Sequence, residues 1–275
     1  MAHPTTNMAL FCDFENVALG VRDAKYAKFD INRVLERLLL KGSIVVKKAY
    51  CDWERYKEFK ASMHEASFEM IEIPHLRISG KNSADIRLVV DALDLCYTKS
   101  HVDTFVIISG DSDFSPLVSK LRENNKAVIG LGVKSSTSDL LIANCDEFIF
   151  YDDLVRQEET KQRTRRKQSA RKPATESQKD APKGDEERKL QAFDLVLDTI
   201  EALAEERDQD EKIWGSMVKQ TLKRRNPGFN ESYYGFRTFS ELLEEAQQRQ
   251  LLTLEADQKS GGYIVRGHAR PDDQA

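Results

Sequence analysis

At 275 residues the chain has room for one sizeable core and a second, smaller domain. Its 40% hydrophobic and 8% aromatic content is ordinary for a soluble protein, and its 32% charged content is somewhat high. The net charge of −4 names no partner, because it averages over any opposed patches. No run approaches the roughly 20 apolar residues a membrane span needs, and the opening "MAHPTTNMALFCDF" has no leader-like pattern, so a cytoplasmic protein is expected.

Strand-like and helix-like segments alternate from the start. "ALFCDF" (9–14) is a short apolar run, and "DINRVLERLLLKG" a helix with Asp30 as N-cap and Ile31, Val34, Leu35 and Leu38 on one face. "SIVVKKAYC" is β-rich, "WERYKEFKASMHEA" helical, and "FEMIEIP" a strand offering Phe68, Met70, Ile71 and Ile73 to a core. "SADIRLVVDALDLCYTK" reads as a helix capped by Ser83, "DTFVIIS" as a strand and "DFSPLVSKLRENN" as a helix. "AVIGLGV" (strand), "TSDLLIANC" (helix) and "EFIFYD" (strand) complete the series. The expectation is a single α/β domain over 7–155, a mostly parallel sheet flanked by helices on both faces. Cys12, Cys51, Cys96 and Cys145 form no CxxC pair and read as small buried hydrophobes.

Residues 156–188 contain no aromatic and no large aliphatic residue, so nothing there offsets the entropy of ordering, and a disordered linker is expected. Within it "KQRTRRKQSARK" (161–172) is basic without an acid, either a solvated linker or an arm for a phosphate backbone. From 189 to 267 the pattern becomes three helices and a hairpin turning at Gly261-Gly262, the outline of a small winged helix. Phe193, Trp214, Phe229, Tyr234, Phe236 and Phe239 read mainly as core or turn packing. Lys219, Lys223, Arg224, Arg225 and Arg237 are candidates for phosphate contact, set against a plain solvated face.

In an open α/β sheet, ligands sit beyond the carboxyl ends of the strands, so the polar residues just past each apolar run matter most. Asp13, Glu15 and Asn16 follow the first run, Ser109, Asp111 and Asp113 follow "FVIIS", and Asp85 stands in the first turn of the helix after "RISGKN". If those strands are neighbours, Asp13, Asp85, Asp111 and Asp113 converge on one crevice. Carboxylates held so close call for a cation, and hard oxygen ligands suit Mg²⁺ or Mn²⁺. Two of these acids also have plainer roles: Asp113 as the cap of the helix that follows it, Asp85 as an acid favoured by the helix dipole. Asp91 and Asp94 read as solvated, Asp91 standing about 240° round the helix from Asp85. The metal reading draws its strength from the agreement of separate strand ends.

Other chemistries find no support. "GLG" at 130–132 lacks the third glycine and following helix of a dinucleotide site, no phosphate-loop motif or GxSxG elbow occurs, and the five histidines have no metal-ligand spacing. His75 reads as a surface residue.

"LFCDFENV", "GKNSADIRLVVDAL" and "VIISGDSDFSPLVSKLRENNKAVIGLG" closely resemble the successive motifs of NYN domains, a branch of the PIN-like nucleases. The resemblance covers residues 8–152. It implies a compact α/β fold, a divalent-metal site formed by Asp13, Asp85, Asp111 and Asp113, and ribonuclease activity in many members. Asn16, Lys81 and Ser109 match positions that line the crevice against substrate. The second half, through "WGSMVKQTLKRRNPGFNESYYGFRTFSELLEEAQ" and "SGGYIVR", resembles OST-HTH (LOTUS) winged helices, which bind RNA or dock protein partners. The function expected is a Mg²⁺- or Mn²⁺-dependent ribonuclease, a hydrolase acting on single-stranded or structured RNA, with no membrane association. The alternative is a non-catalytic RNA-binding regulatory adaptor; a small-molecule phosphohydrolase is a weaker third.

Overall fold

The computed structural model describes residues 6–73, 83–158, 183–205, 212–257 and 262–268. Lys81, His75, the basic run at 161–172 and Gly261 lie outside the described residues. The chain divides into two compact units, residues 1–159 and 160–275.

In the first unit, the apolar run near the start forms β1 (Asn7–Asp13), buried on both faces from Met8 onward. Such a strand belongs inside a sheet. It lies between β2 (Ser43–Cys51) and β4 (Thr104–Ile108), and β3 (Glu69–Glu72), β5 (Ala127–Gly132) and β6 (Glu147–Phe150) complete a sheet of order β3-β2-β1-β4-β5-β6. Every pairing is parallel, so the sheet expected to be mostly parallel is wholly so. The chain moves outward from β1 in one direction, then returns to β4 and moves outward in the other. The β1–β4 boundary is therefore a topological switch point, where the loops leaving two adjacent strands diverge and open a crevice.

Alternate side chains of β1 feed two cores. Met8, Leu10 and Cys12 pack with Phe14, Val17, Val34, Leu38 and Tyr151, from α1 (Phe14–Asp23), α2 (Ile31–Leu39) and α7 (151–158). Ala9 and Phe11 pack with Leu88, Ala92, Val118, Leu121 and Leu141, from α4 (Ser83–Thr98), α5 (Ser115–Glu123) and α6 (Asp139–Asn144). The short α3 (Lys60–Glu65) joins β2 to β3. All four cysteines are buried and unpaired, as their apolar settings suggest.

The sequence reading passed over α1, although Phe14, Val17, Ala18 and Val21 recur at helical spacing and are all buried. It also placed Asp91 in solvent, and this is corrected. Asp91 keeps only 14% side-chain exposure and accepts from the Tyr50 hydroxyl at 2.9 Å and from Arg87 Nε at 3.0 Å, tying α4 to β2. Asp91→Ala leaves the buried Tyr50 hydroxyl without its acceptor and is expected to cost about 1–3 kcal/mol, measured by denaturant unfolding.

In the second unit, α8 (Lys183–Glu205), α9 (Gly215–Arg225) and α10 (Phe239–Gln248) enclose a core containing Phe193, Phe229, Phe236 and Phe239, while Trp214 and Tyr234 are half-buried. Helix α8 begins at Lys183, within the stretch read as linker. The expected hairpin is present as β8 (Leu252–Ala256) and β9 (Tyr263–His268), and a two-residue strand, β7 (Ile213–Trp214), joins it to give the antiparallel order β7-β9-β8.

Candidate active site

β1 ends at Asp13 and α1 begins at the next residue, so Asp13 is both a strand terminus and a helix N-cap. Its Oδ1 accepts the Asn16 backbone N–H at 3.4 Å, and its Oδ2 accepts the Ser109 hydroxyl at 3.0 Å. Ser109, wholly buried just beyond β4, also accepts the Asp111 N–H on its Oγ at 3.2 Å. Asn16 Oδ1 accepts the Gly110 N–H at 2.9 Å, and the Gly110 carbonyl accepts the Ser138 N–H at 2.9 Å. These bonds lock the ends of β1 and β4 together at the switch point and fix the two loops that carry Asp13 and Asp111.

Asp111 Oδ1 accepts the Asp113 N–H at 3.0 Å and caps a single 3₁₀ turn, Ser112–Phe114, that leads into α5. The cap at this corner is therefore Asp111, not Asp113 as its position next to the helix suggested. Asp85 lies in the first turn of α4, half-buried. A cavity of about 250 Å³ is walled by Asp13, Asp85 and Asp111, together with Glu15, Asn16 and Asp52. Asp113 is exposed beside a second hollow with Ser112, Ser115 and Ser119, yet remains close enough to raise the Asp85 pKa.

The cavity is electrostatically uncompensated. Burial, then the Asp85 charge, pushes the Asp13 carboxyl up to about 7, the Ser109 and Asn16 hydrogen bonds pull it back in part, and Asp111 raises it further. Asp85 is raised as well, by burial first and then by Asp111, Asp113 and Glu15. Among the described residues no lysine or arginine forms an ion pair with Asp13, Asp85, Asp111 or Asp113, and Arg55 is engaged instead by Glu15 at 3.1 Å. Nor, among the described residues, do three carboxylate, imidazole or thiol groups already stand in an arrangement that holds a metal ion.

Glu15 and Asp52 complete the acidic wall, and neither was carried into the expected site. Asp52 directly follows β2, the neighbour of β1, so the same strand-end inventory that found Asp13 would have found it. It also serves its own turn, Oδ1 accepting the Glu54 N–H at 3.2 Å.

On the second unit, Lys223, Arg224 and Arg225 occupy the last turn of α9, and Arg224 and Arg237 are exposed. Arg225 Nη1 also donates to the Asp198 carbonyl at 3.2 Å. Lys219 pairs with Glu231 at 2.7 Å, and that carboxylate is only 13% exposed. Burial works to raise Glu231, but the Lys219 hydrogen bond, the Glu231 backbone N–H and the Lys219 and Lys223 charges together outweigh it and hold the carboxyl below its ordinary value. A depressed carboxylate stabilises the fold above its unfolded pKa and loses that contribution as pH falls through the folded value. Lys219→Met is accordingly expected to destabilise this unit by about 1–3 kcal/mol at neutral pH and by less in acid, read by thermal unfolding across pH.

An all-parallel α/β sheet with an acid-walled cavity at its switch point, accompanied by a winged-helix unit, is the architecture of PIN-like proteins with an appended nucleic-acid-type module. The NYN domain model matches residues 7–152, more than half of the chain, and the OST-HTH/LOTUS domain model matches residues 194–262. The chain belongs to the NYN-domain family and carries a second match, to the OST-HTH/LOTUS domain, in its other unit. It is 26% identical over 148 residues to the meiosis regulator and mRNA stability factor 1 of Xenopus tropicalis, a match covering 54% of this chain and 9% of that protein. An uncharacterized protein of Methanocaldococcus jannaschii is 26% identical over 117 residues, 42% of this chain and 45% of its own length. The chain thus spans less than half of either curated relative. Among solved structures, a protein of unknown function from Vibrio parahaemolyticus superposes with a TM-score of 0.50 at 28% identity, covering 56% of this chain and 98% of that one. No helix among the described residues is long and apolar enough to cross a membrane.

Proposed function

We propose that the chain is a divalent-metal-dependent ribonuclease that hydrolyses RNA phosphodiester bonds at the β1–β4 switch point, with the OST-HTH/LOTUS unit targeting RNA or a protein partner. The observation that carries this reading is the cavity walled by Asp13, Asp85 and Asp111, with which, among the described residues, no lysine or arginine is ion-paired. The donor set fits Mg²⁺ or Mn²⁺: hard carboxylate oxygens, with room for water beside them. Asp13, Asp85 and Asp111 would hold the ion, with Asp113 reaching in from the rim, once the half-buried Asp85 and the exposed Asp113 turn toward it. When bound, such an ion supplies charge stabilisation to a transferring phosphoryl group and a more acidic water.

The chain's own residues do the positioning. Ser109 and the Asn16 N–H donate to the two oxygens of Asp13 and so fix the orientation of its carboxylate, while the Asn16 side chain holds the Gly110 backbone and with it the approach of Asp111. Lys81 and Asn16 are assigned to the substrate side of the crevice, and Lys223, Arg224, Arg225 and Arg237 to phosphate contacts on the second unit; Ser109, expected to line the crevice as well, is wholly buried and is assigned to positioning Asp13 and Asp111. Lys219 joins them only at the cost of its pair with Glu231.

A second reading is a regulatory RNA-binding adaptor that does not cut. It is favoured by the acids' not standing ready around a metal. The two separate in one assay, cleavage of end-labelled single-stranded RNA with Mg²⁺, Mn²⁺ or chelator, comparing the native chain with Asp111→Asn. Metal-dependent cutting lost in the variant is expected. Absence of cutting by either, with RNA still bound in chelator, would establish the adaptor.

A further inference from the structure

A second cavity bordered by α1 is larger than the acidic one, about 530 Å³, within the range of pockets that hold nucleotide-sized ligands. Its wall has a different chemistry: Arg22, Lys28 and Arg55 supply positive charge, and Tyr26, Tyr56 and Phe59 supply aromatic surface. Glu58 also borders it. Lys28 Nζ donates to the main-chain carbonyl of Glu58 at 3.2 Å and stands 4.4 Å from the centre of the Phe59 ring. Among the described residues Arg22 pairs with its exposed neighbour Asp23 alone, at 3.3 Å, an interaction worth little in water and readily yielded to a phosphate.

The two cavities are joined. Leu19 lines both. Glu15, on the acidic wall, accepts from Arg55 at 3.1 Å and from the Tyr56 hydroxyl at 3.4 Å, and both of those residues line the second cavity. A strand that reaches the acidic crevice thus meets, across the shared Leu19 and the Glu15–Arg55 pair, cations and the half-buried rings of Tyr26 and Tyr56. Cations neutralise backbone phosphates, and rings stack on bases with little regard to sequence.

We propose that this cavity is a nucleotide-binding subsite for the RNA strand, engaging a nucleotide that flanks the one held at the acidic crevice. Arg22 and Lys28 contact its phosphate, and Tyr26 and Tyr56 offer surface to its base. Arg55 changes partner from Glu15 to the phosphate, which adds Glu15 to the carboxylates free in the acidic cavity. The subsite rests on the proposed nuclease reading for its orientation toward the acidic crevice, but RNA binding there does not require cleavage.

The test uses the full chain in chelator, so that no cutting occurs and failure of the nuclease reading is read separately. Thiouridine-substituted single-stranded RNA is photo-crosslinked to the chain and the adducts are mapped by mass spectrometry. Adducts within residues 18–29 and 55–59 are expected. In the Arg22→Glu/Lys28→Glu variant, whose two side chains are exposed and whose folding is checked by thermal unfolding, they fall about tenfold. The dependence of affinity on salt, on log–log axes, becomes shallower by about 0.7, the value for one phosphate contact on a single strand. Adducts confined to other surfaces would overturn the proposal, as would adducts here unchanged in the folded variant. Adducts abolished by adenosine monophosphate but not by excess unlabelled RNA would assign the cavity to a free nucleotide instead.

Discussion

Replacing Asp13 with asparagine is expected to lower metal-dependent RNA cleavage by at least about 10²–10³-fold while making the metal-free chain more stable at neutral pH. The two effects have one cause. Asp13 is buried, and with Asp85 and Asp111 nearby its carboxyl is pushed up to about 7. Between the unfolded value near 3.8 and about 7, the folded chain keeps a proton that the unfolded chain has released. Unfolding free energy therefore falls as pH rises through that window, at a rate of at most roughly 1.4 kcal/mol per pH unit. The contribution is present in full below the window and lost above it. Asparagine carries no charge to suppress, so the variant's stability in chelator should be flatter across pH 4–7 and exceed that of the native chain at pH 8. A divalent cation should flatten the native curve in the same way. Thermal unfolding with and without Mn²⁺, beside the cleavage rate, measures both halves. A variant that lost activity and also lost stability would make Asp13 a structural cap and no more.

Gly110→Ala is expected to cost about 1–3 kcal/mol of stability and to reduce cleavage by about 10²-fold. The glycine in "SGDSDF" is there for close approach. A Cβ at this position would stand 2.4 Å from the Ser136 carbonyl oxygen and 3.0 Å from the Thr137 Cα, both backbone atoms that no rotamer change can move aside. Relief requires parting the β4 exit from the 136–138 loop. That strains the Asn16–Gly110 and Ser138–Gly110 bonds and shifts Asp111, one residue away. A displacement near 1 Å at a positioned carboxylate is enough for the stated loss. Unfolding midpoint and single-turnover cleavage, compared with Gly130→Ala as a control, separate the local shift from general destabilisation; at Gly130 the added Cβ meets the Phe148 ring and the Cys145 sulfur within the core, not the 136–138 backbone.

Strand ends were readable because a buried strand stops abruptly where polar residues begin, and that break located Asp13 and Asp111 before any topology was known. Their being neighbours was not readable, since it depends on the order β3-β2-β1-β4-β5-β6, which local periodicity does not carry. Helix α1 escaped notice because it starts without a linker directly at Asp13, so strand and helix signals overlap over Phe14–Val17. Asp91 was misplaced because helical angle alone says nothing of the partner element; the tyrosine that claims it comes from β2, 41 residues away. Asp52 was passed over because it follows a strand with two lysines in its middle, whose end is less abrupt. β7 is two residues long and has no period to detect; only the edge of β9 defines it. The core of the second unit was legible in its aromatics, but the engagement of Lys219 by Glu231 was not, because the pair spans a loop from α9 to the 3₁₀ turn at Glu231–Tyr234.

The claim on which the account depends is that the carboxylates at the switch point gather around a divalent cation. Calorimetric titration of the full chain with Mn²⁺ near pH 7, repeated in buffers of different ionisation enthalpy, tests it directly. Saturable binding is predicted, accompanied by release of a substantial fraction of a proton because Asp13 must ionise to bind, and both signals should vanish in Asp111→Asn. Heats indistinguishable from dilution, or binding that Asp111→Asn leaves intact, would contradict it.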